Sequence, residues 1–397
     1  MSSAALEVRS STTLRQIFLS ELGRFSEDSC YSLPALPPKV ASIVLLGTTD
    51  FSSAFISQAT GDIPIVGVVN DLKAGTNARF HGIPIISSVE LLALAKKGSL
   101  ITVNGCRYDH ARRYFKNLTR QHNLPMLNFE QAIRWQNTEC RDHRVQDWGR
   151  YIFDNSQRFL ELADRMDDEY SKITLYSVLL SHLTCDLEWT LEVAKPYCTL
   201  YFRSGLWRPK KNERFVDCGA SIAESSKAFL DATDGVFEKI WMVEPDEINQ
   251  KTLGKFIDEY SSQFSIAPTG SLELLNYALG NETSEMPFSH QGGHGGVLLN
   301  PSLSDVVGSN VSIRKLDDLV KEPVTIIKMD IEGAELEALK GAQGHIAQSR
   351  PTLLVSAYHR SSDLLDIVSF VESVRGDYKV GLRHHTEERW DTCLYFY

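Results

Sequence analysis

The stretch Ile327-Lys328-Met329-Asp330-Ile331-Glu332-Gly333-Ala334-Glu335 sets carboxylates and a glycine directly after an apolar run that begins at Val324. The run reads as a buried strand. Glu335, Leu336, Leu339 and Lys340 then follow at helical spacing. A strand that ends in acids and turns through glycine into a helix is the rim of an α/β sheet, where ligands bind beyond the carboxyl ends of the strands. The same layout recurs in Phe215-Val216-Asp217-Cys218-Gly219-Ala220-Ser221-Ile222-Ala223 and in Lys239-Ile240-Trp241-Met242-Val243-Glu244-Pro245. Three acidic strand ends suggest a nucleoside-type cofactor over a doubly wound sheet.

The residue types narrow that cofactor. Gly219 allows a sharp turn and close approach of a ligand to the backbone. A helix starting near Ile222 points free N–H groups at the same spot, which favours a carboxylate. Asp217 suits an ammonium group. A ligand end carrying both charges is an amino acid, and a pyrophosphate would be repelled by Asp217. Glu244 at the next strand end suits ribose hydroxyls. Amino acid plus ribose means S-adenosylmethionine. Taken singly, each turn reads equally well as a plain strand–turn–helix with solvated acids; the three together favour the ligand. Methyl transfer is an in-line displacement, so the chain must align an acceptor oxygen and exclude water. A hydroxyl acceptor also loses a proton, and Asp330, Glu332 and His359 are the candidate bases. His359 reads equally as a surface histidine at a strand end. Glu332 reads more simply as a helix-start carboxylate.

Residues 215–226, 241–245, 277–281 and 327–342 resemble the FkbM family of S-adenosylmethionine-dependent methyltransferases. The resemblance covers residues 197–397, and the run from Ile327 to Glu335 with Leu339-Lys340-Gly341-Ala342 is its most specific part. It implies a class I methyltransferase fold with a seven-stranded, doubly wound sheet, and O-methylation of a hydroxyl on a sugar, glycan or glycosylated metabolite. By the resemblance Asp217, Gly219, Ala220, Ser221 and Ile222 hold the methionine end, Glu244 and Pro245 the ribose, Ala278 and Leu279 flank adenine, and Asp330 and Glu332 sit near the methyl group. Asp330 and His359 are then the expected catalytic pair. Two positions depart from the family's first motif: Ser221 stands for Asn and Ala223 for Gly. The Ala223 methyl is expected to weaken binding where the helix approaches the ligand.

The stretch Ser289-His290-Gln291-Gly292-Gly293-His294-Gly295-Gly296 has the composition of a mobile loop. It is expected to be either a lid, carrying substrate contacts from Ser289, His290 and His294, or a disordered connection. No metal site is expected, because the glycines forbid the helix that two histidines four apart would need.

These elements need a scaffold, and 397 residues provide for more than one core. Residues 1–38 read as a helical lead-in carrying Leu14, Ile17, Phe18 and Leu22, followed by a proline-rich linker. Residues 39–128 alternate short apolar strands with helices and predict a second Rossmann-like α/β domain. Residues 129–196 read as a bridging helical segment, and 197–397 as the methyltransferase domain. Glycine spacing after the first strand, Gly47-Thr48-Thr49-Asp50-Phe51, lacks the dinucleotide fingerprint. A nicotinamide-dependent oxidoreductase acting through this domain is therefore a weaker alternative, as is a module that binds the cofactor without turnover. The net charge of −10 argues against a nucleic-acid partner. There is no membrane-spanning run, no signal-peptide pattern and no paired cysteine motif, which together suggest a cytoplasmic protein.

Overall fold

The computed structural model describes residues 9–25, 39–58, 63–75, 77–106, 109–136, 144–263, 270–293, 296–298, 309–387 and 389–397. The chain divides into two compact units, Met1–Ser156 with Tyr176–Glu192, and Gln157–Leu175 with Val193–Tyr397. The helical stretch 129–196 is therefore not a third unit of its own; its parts pack with one unit or the other.

In the first unit, short runs, rich in β-branched residues in β1, β2, β4 and β5, form strands β1 (Ser42–Leu46), β2 (Ile65–Val69), β3 (Arg79–Phe80), β4 (Ile83–Ile86), β5 (Leu100–Asn104) and β6 (Met126–Asn128). They make one sheet of order β3-β4-β2-β1-β5-β6, parallel except for β3. The central strand β1 is buried along nearly its whole length because both faces are covered. Ile43, Leu45, Phe55 and Val103 fill one face, and Val44, Leu46, Leu91 and Phe115 the other. Helix Ser88–Ala95 starts with a capping box, in which Ser87 and Glu90 satisfy each other's free N–H groups. The lead-in helix, Ser11–Arg24, is capped by Ser10 and buries Leu14 and Phe18; the proline-rich linker lies outside the described residues. Strands β3 and β6 are too short and too polar for the sequence pattern to reveal.

The second unit holds β7 (Ala194–Lys195), β8 (Arg214–Cys218), β9 (Lys239–Val243), β10 (Ser271–Leu275), β11 (Ala278–Leu279), β12 (Ser284–Ser289), β13 (Val297–Leu298), β14 (Ser309–Arg314), β15 (Ile326–Met329), β16 (Thr352–Ser356), β17 (Val380–His385) and β18 (Thr392–Phe396). The main sheet runs β10-β9-β8-β15-β16-β18-β17-β7. All neighbours are parallel except β18, which is antiparallel to both β16 and β17. The sheet thus has eight strands where seven were expected, because Ala194–Lys195 pairs with His384 and His385 at the edge. The last two strands, β17 and β18, pair antiparallel, with β18 inside the sheet rather than at its rim. From β8 the chain winds outward through β9 and β10, then returns to β15 on the other side. The β8–β15 junction is therefore the topological switch point, where a crevice forms at the carboxyl ends of the strands.

One face of this sheet is packed by an aromatic cluster. Phe202 meets Trp207, Phe215 and Phe229 with ring centroids 5.1–5.3 Å apart, in the edge-to-face arrangement that ring quadrupoles favour. A second, four-stranded sheet of order β11-β14-β12-β13 follows β10. Two of its strands, β11 and β13, are only two residues long, and β12 and β14 mix polar and apolar residues. Among the described residues, no helix is long and apolar enough to cross a membrane.

Candidate active site

The turn after β8 is built on left-handed backbone. Gly219 (φ 78°), Ser221 (φ 47°) and Ala223 (φ 70°) all lie in that region. At Gly219 a side chain is excluded outright, since a Cβ would fall 2.0 Å from the Asp330 carbonyl oxygen. This tight contact ties the first turn to the turn after β15. Gly219 and Ala220 donate backbone N–H groups to the Val243 carbonyl at 2.9 and 3.2 Å. Ser221 N–H donates to Glu244 Oε2 at 2.8 Å, and its hydroxyl donates to the Gly293 carbonyl at 2.9 Å.

Asp217 is fully buried and does not face a ligand. It pairs with Lys328 Nζ at 3.1 Å and accepts hydrogen bonds from Ser225 and Ser226 at 2.6 and 2.7 Å. The expected contact between Asp217 and a ligand ammonium is thus replaced by an internal ion pair. Lys328 also donates to the carbonyls of Cys218 and Gly219, at 3.2 and 2.7 Å. Burial works against its charge, but Asp217 and then Asp330 outweigh that and hold its pKa above the ordinary lysine value. A lysine inside an otherwise apolar strand was the sequence signal for this link. Ile222 does not line the site either. Ala223 caps helix Glu224–Ala232 and is buried in the aromatic core. Its methyl therefore points away from the cavity, and the cost of alanine here is left-handed backbone rather than a clash with a ligand.

Glu244 directly follows β9 and is buried. Its two oxygens accept the N–H groups of Ser221 and Asp246, each at 2.8 Å. Burial raises its pKa, with these amides pulling the other way. Residues 289–293 of the glycine-rich stretch are held in place. Ser289 ends β12, and the N–H groups of Gln291 and Gly292 donate to Asp246 Oδ2 at 3.0 and 2.9 Å. Asn249 holds Gly293 through both of its backbone groups, at 2.8 and 2.9 Å. His290 is drawn the other way, towards Ser309 at 2.7 Å and the Glu247 N–H at 3.2 Å, so neither it nor Ser289 lines the cavity. His294 lies outside the described residues. Asp246 and Asn249, which pin this segment, sit in an ordinary-looking helix start and gave no sequence signal.

The turn after β15 presents Asp330. Tyr201 Oη donates to its Oδ2 at 2.9 Å and Tyr358 Oη to its Oδ1 at 3.1 Å. Burial, and next the Asp330 charge, push both phenols well above their usual range, so both remain donors. Glu332 (φ 56°) and Gly333 (φ 94°) reverse the chain. Glu335 is fully buried and accepts from the N–H of Ile331 at 2.8 Å and of Gly333 at 3.3 Å, which shapes the turn from inside. His359 is buried behind it. Its Nδ1 lies 3.1 Å from Glu335 Oε1, and its Nε2 lies 3.5 Å from Glu332 Oε2 and 3.7 Å from Asp330 Oδ1. Burial alone would lower its pKa; Glu335, then Asp330 and Glu332, overcome this and raise it to about 9. His359 on its own is therefore protonated near neutral pH and does not line the cavity, which corrects its expected role as the base.

Over these turns opens a cavity of about 800 Å³, within the range of small-molecule sites. Gly219, Ala220, Ser221, Glu244, Pro245 and Asp330 line one part of it, with Glu332 beside Asp330. Tyr277, Ala278, Leu279 and Phe288 form an apolar wall, while Tyr197, Tyr358 and Trp390 stand at the Asp330 end. The carboxyl rim of the first unit is different. Asn70 bonds Thr48, and Asp71 accepts from Ser88 and Tyr114. Gly47 is packed against the Cys106 thiol, where a phosphate would need room. These contacts weigh against nicotinamide chemistry in that unit.

An α/β sheet with a cavity at its switch point is where such folds bind small ligands, and comparison with known proteins makes the class specific. The FkbM methyltransferase domain matches residues 217–379. A solved FkbM methyltransferase from Methylobacillus flagellatus KT is 38% identical over 98% of this chain and 100% of its own, with a TM-score of 0.84. The N-terminal domain of human METTL16 matches at 12% identity over 60% of this chain and 92% of its own; its TM-score of 0.29 is too low to bear on fold or function. No curated protein matches. The chain belongs to the FkbM methyltransferase family, and its second unit has the class I methyltransferase fold.

Proposed function

We propose that the second unit binds S-adenosylmethionine in the cavity at the β8–β15 switch point and methylates a hydroxyl oxygen of a small molecule or glycan. One observation carries this reading: a single cavity brings together the Gly219–Ser221 turn, Glu244 and Asp330. The residues fit the cofactor. The turn and the start of helix Glu224–Ala232 suit the methionine carboxylate. Glu244 keeps acceptor lone pairs for ribose hydroxyls, and the wall of Tyr277, Ala278, Leu279 and Phe288 suits adenine. When bound, S-adenosylmethionine supplies an electrophilic methyl carbon on a sulfonium.

The chain's own part is alignment and proton handling. Asp330, fixed by Tyr201 and Tyr358, holds the acceptor hydroxyl and receives its proton as the oxygen is methylated. The aromatic edges of Tyr197, Tyr358 and Trp390 shield the reacting end from water. Asp330, Glu332 and Asp391 make this end acidic, which supports a neutral or cationic acceptor over a nucleic acid. Calorimetry with S-adenosylmethionine and S-adenosylhomocysteine, run beside NAD and NADP, tests the reading. Saturable binding of the first pair alone is expected. Binding of a nicotinamide cofactor without them would overturn it.

A further inference from the structure

Lysine and arginine line the cavity at positions 203, 227 and 328, and they are not equally free. Lys328 is buried, pairs with Asp217 and donates to the carbonyls of Cys218 and Gly219. The Lys227 ammonium rests over the Phe256 ring, 5.2 Å from its centroid. Arg203 is exposed, and among the described residues its guanidinium makes no hydrogen bond, ion pair or ring contact. Asp231 lines the same cavity without pairing with it. The segment that leads to Arg203 is fixed against the helix Glu224–Ala232. Tyr197 Oη donates to Glu224 Oε2 at 3.3 Å, in the first turn of that helix, and the Phe202 and Phe229 ring centroids lie 5.3 Å apart, in the second. Between them, Tyr201 donates to Asp330 Oδ2 at 2.9 Å. Residues 197–202 are thus tied to both the start of the helix and the Asp330 turn, and Arg203 follows directly.

The methionine end of the cofactor carries a carboxylate, and the turn after β8 has few donors left for it. The N–H groups of Gly219 and Ala220 are taken by the Val243 carbonyl, and that of Ser221 by Glu244. The N-cap of the helix is Ala223, whose side chain has no polar group. What remains is the free N–H groups of the first helical turn, which attract an anion with only a partial charge. A full counter-charge has to come from a side chain. Lys328 is spent on Asp217, and an arginine fork matches a carboxylate with two parallel hydrogen bonds where a lysine offers a point charge. We infer that Arg203 binds the methionine carboxylate of S-adenosylmethionine, as the side-chain counter-ion at the start of helix Glu224–Ala232. The inference rests on the cofactor reading above. It makes the tail of the ligand, and not only its nucleoside, a determinant of what the cavity accepts. The sequence hid this residue, because Arg203 lies eleven positions before the first strand of the domain, in a stretch with no motif.

The test is calorimetry on the full chain with S-adenosylmethionine, S-adenosylhomocysteine, decarboxylated S-adenosylmethionine and 5′-methylthioadenosine. The first two carry the carboxylate and the last two lack it. Arg203→Ala should weaken the first two by about 10- to 100-fold, as loss of a charge-assisted hydrogen bond does, and leave the last two unchanged. Arg203→Lys keeps the charge without the fork and should fall between Arg203→Ala and the wild type. Lys227→Ala should alter none of the four affinities. Arg203 is exposed, so both of its variants should fold, and an unchanged melting temperature confirms it. Wild-type affinity for S-adenosylmethionine in Arg203→Ala would overturn the inference. So would an equal loss for 5′-methylthioadenosine, which would place Arg203 at the nucleoside, and so would a loss confined to Lys227→Ala, which would make Lys227 the counter-ion. In each of those cases the wild type still binds S-adenosylmethionine and the methyltransferase reading stands. A wild type that binds none of the four ligands overturns the cofactor reading and this inference with it.

Discussion

The two units use one sheet plan and finish its rim in opposite ways. In the first, the polar groups at the carboxyl ends consume one another: Asp71 is held by Ser88 and Tyr114 and Asn70 by Thr48, while the Cys106 thiol fills the space beside Gly47. In the second, the structural work is done below the rim. The Asp217–Lys328 pair and the buried Glu335 hold the turns from inside, which leaves Glu244 and Asp330 with oxygens facing a cavity. A Rossmann-like sheet thus offers a site only where its turns are braced by groups other than those that meet the ligand.

The largest test of that contrast removes the inner brace. Lys328→Met strands the fully buried Asp217 carboxylate, and breaking one side of a buried pair costs about 3–5 kcal/mol. Urea unfolding should show a loss of that size, and S-adenosylmethionine binding should disappear with it. The double variant Asp217→Asn with Lys328→Met should recover much of the stability, since no unpaired charge remains. A Lys328→Met protein as stable as the wild type would show that the pair braces nothing.

Acid separates the units next. Burial depresses the His385 pKa to about 4, and its ring bonds Thr199 and Tyr395 within the second unit. Between about 6.5 and 4 the unfolded chain binds a proton that the folded chain does not. The stability due to neutral His385 is therefore complete above about pH 6.5 and lost as pH falls through that window. The loss amounts to about 3 kcal/mol, from roughly 1.4 kcal/mol per pKa unit. Asp363, raised to about 7 by burial and then by Glu335, titrates with the opposite sign, so the quantity to read is the difference between wild type and His385→Gln. That difference should shrink between pH 7 and 5. In the first unit, Asp71 is lowered below its ordinary 3.8: burial opposes this, and the Ser88 and Tyr114 hydrogen bonds prevail. Its contribution persists through the same window and is lost only at lower pH. A difference independent of pH would show that His385 titrates normally.

Much of this contrast was legible in the sequence, and the unreadable part has a common cause. The strand ends at Asp217, Glu244 and Asp330 stood out because acids rarely follow apolar runs by accident. The Rossmann-like α/β class of both units followed from alternating strands and helices. What the pattern could not give was which way each acid points. Asp217 and Glu244 look alike in sequence, yet one is sealed under the turn and the other faces the cavity. His359 looked like a base because nothing local reveals three carboxylates closing on it from residues 330–335. The residues from 289 looked mobile because glycine composition is visible, whereas Asp246 and Asn249, which hold them, lie some forty positions earlier. The four-stranded sheet escaped because Ala278–Leu279 and Val297–Leu298 are too short to show a period, and Ser284–Ser289 and Ser309–Arg314 mix polar and apolar residues.

The carboxylate facing the cavity supplies a more direct comparison of the two rims. Glu244→Ala removes an acceptor from the expected ribose position and frees the N–H groups of Ser221 and Asp246. S-adenosylmethionine affinity should fall by about 1–3 kcal/mol, the cost of a lost charge-assisted hydrogen bond. The matching change in the first unit, Asp71→Ala, should leave that affinity unchanged, because Asp71 serves only Ser88 and Tyr114. Equal effects on affinity from both variants would erase the distinction between a rim that binds and a rim that closes on itself.

The smallest effect is expected at Ala223, where two accounts of one methyl group disagree. Read from sequence, this methyl crowds the ligand, so Ala223→Gly should tighten S-adenosylmethionine binding. In the structure it is buried among Phe202, Phe229 and their neighbours, on the core side of the turn. Removing it relieves the left-handed backbone, a gain of about 1–2 kcal/mol, and loses the burial of one methyl, about 0.8 kcal/mol. The added freedom of glycine in the unfolded chain costs roughly another 0.4–1 kcal/mol. These terms nearly cancel, so stability should change by less than about 1 kcal/mol. Affinity should not change, because the cavity wall next to the turn is the backbone of Gly219 to Ser221, which the substitution leaves in place. Calorimetry on Ala223→Gly decides between the accounts: tighter binding at unchanged stability would mean that the methyl reaches the ligand after all, and that the turn in solution differs from the one described.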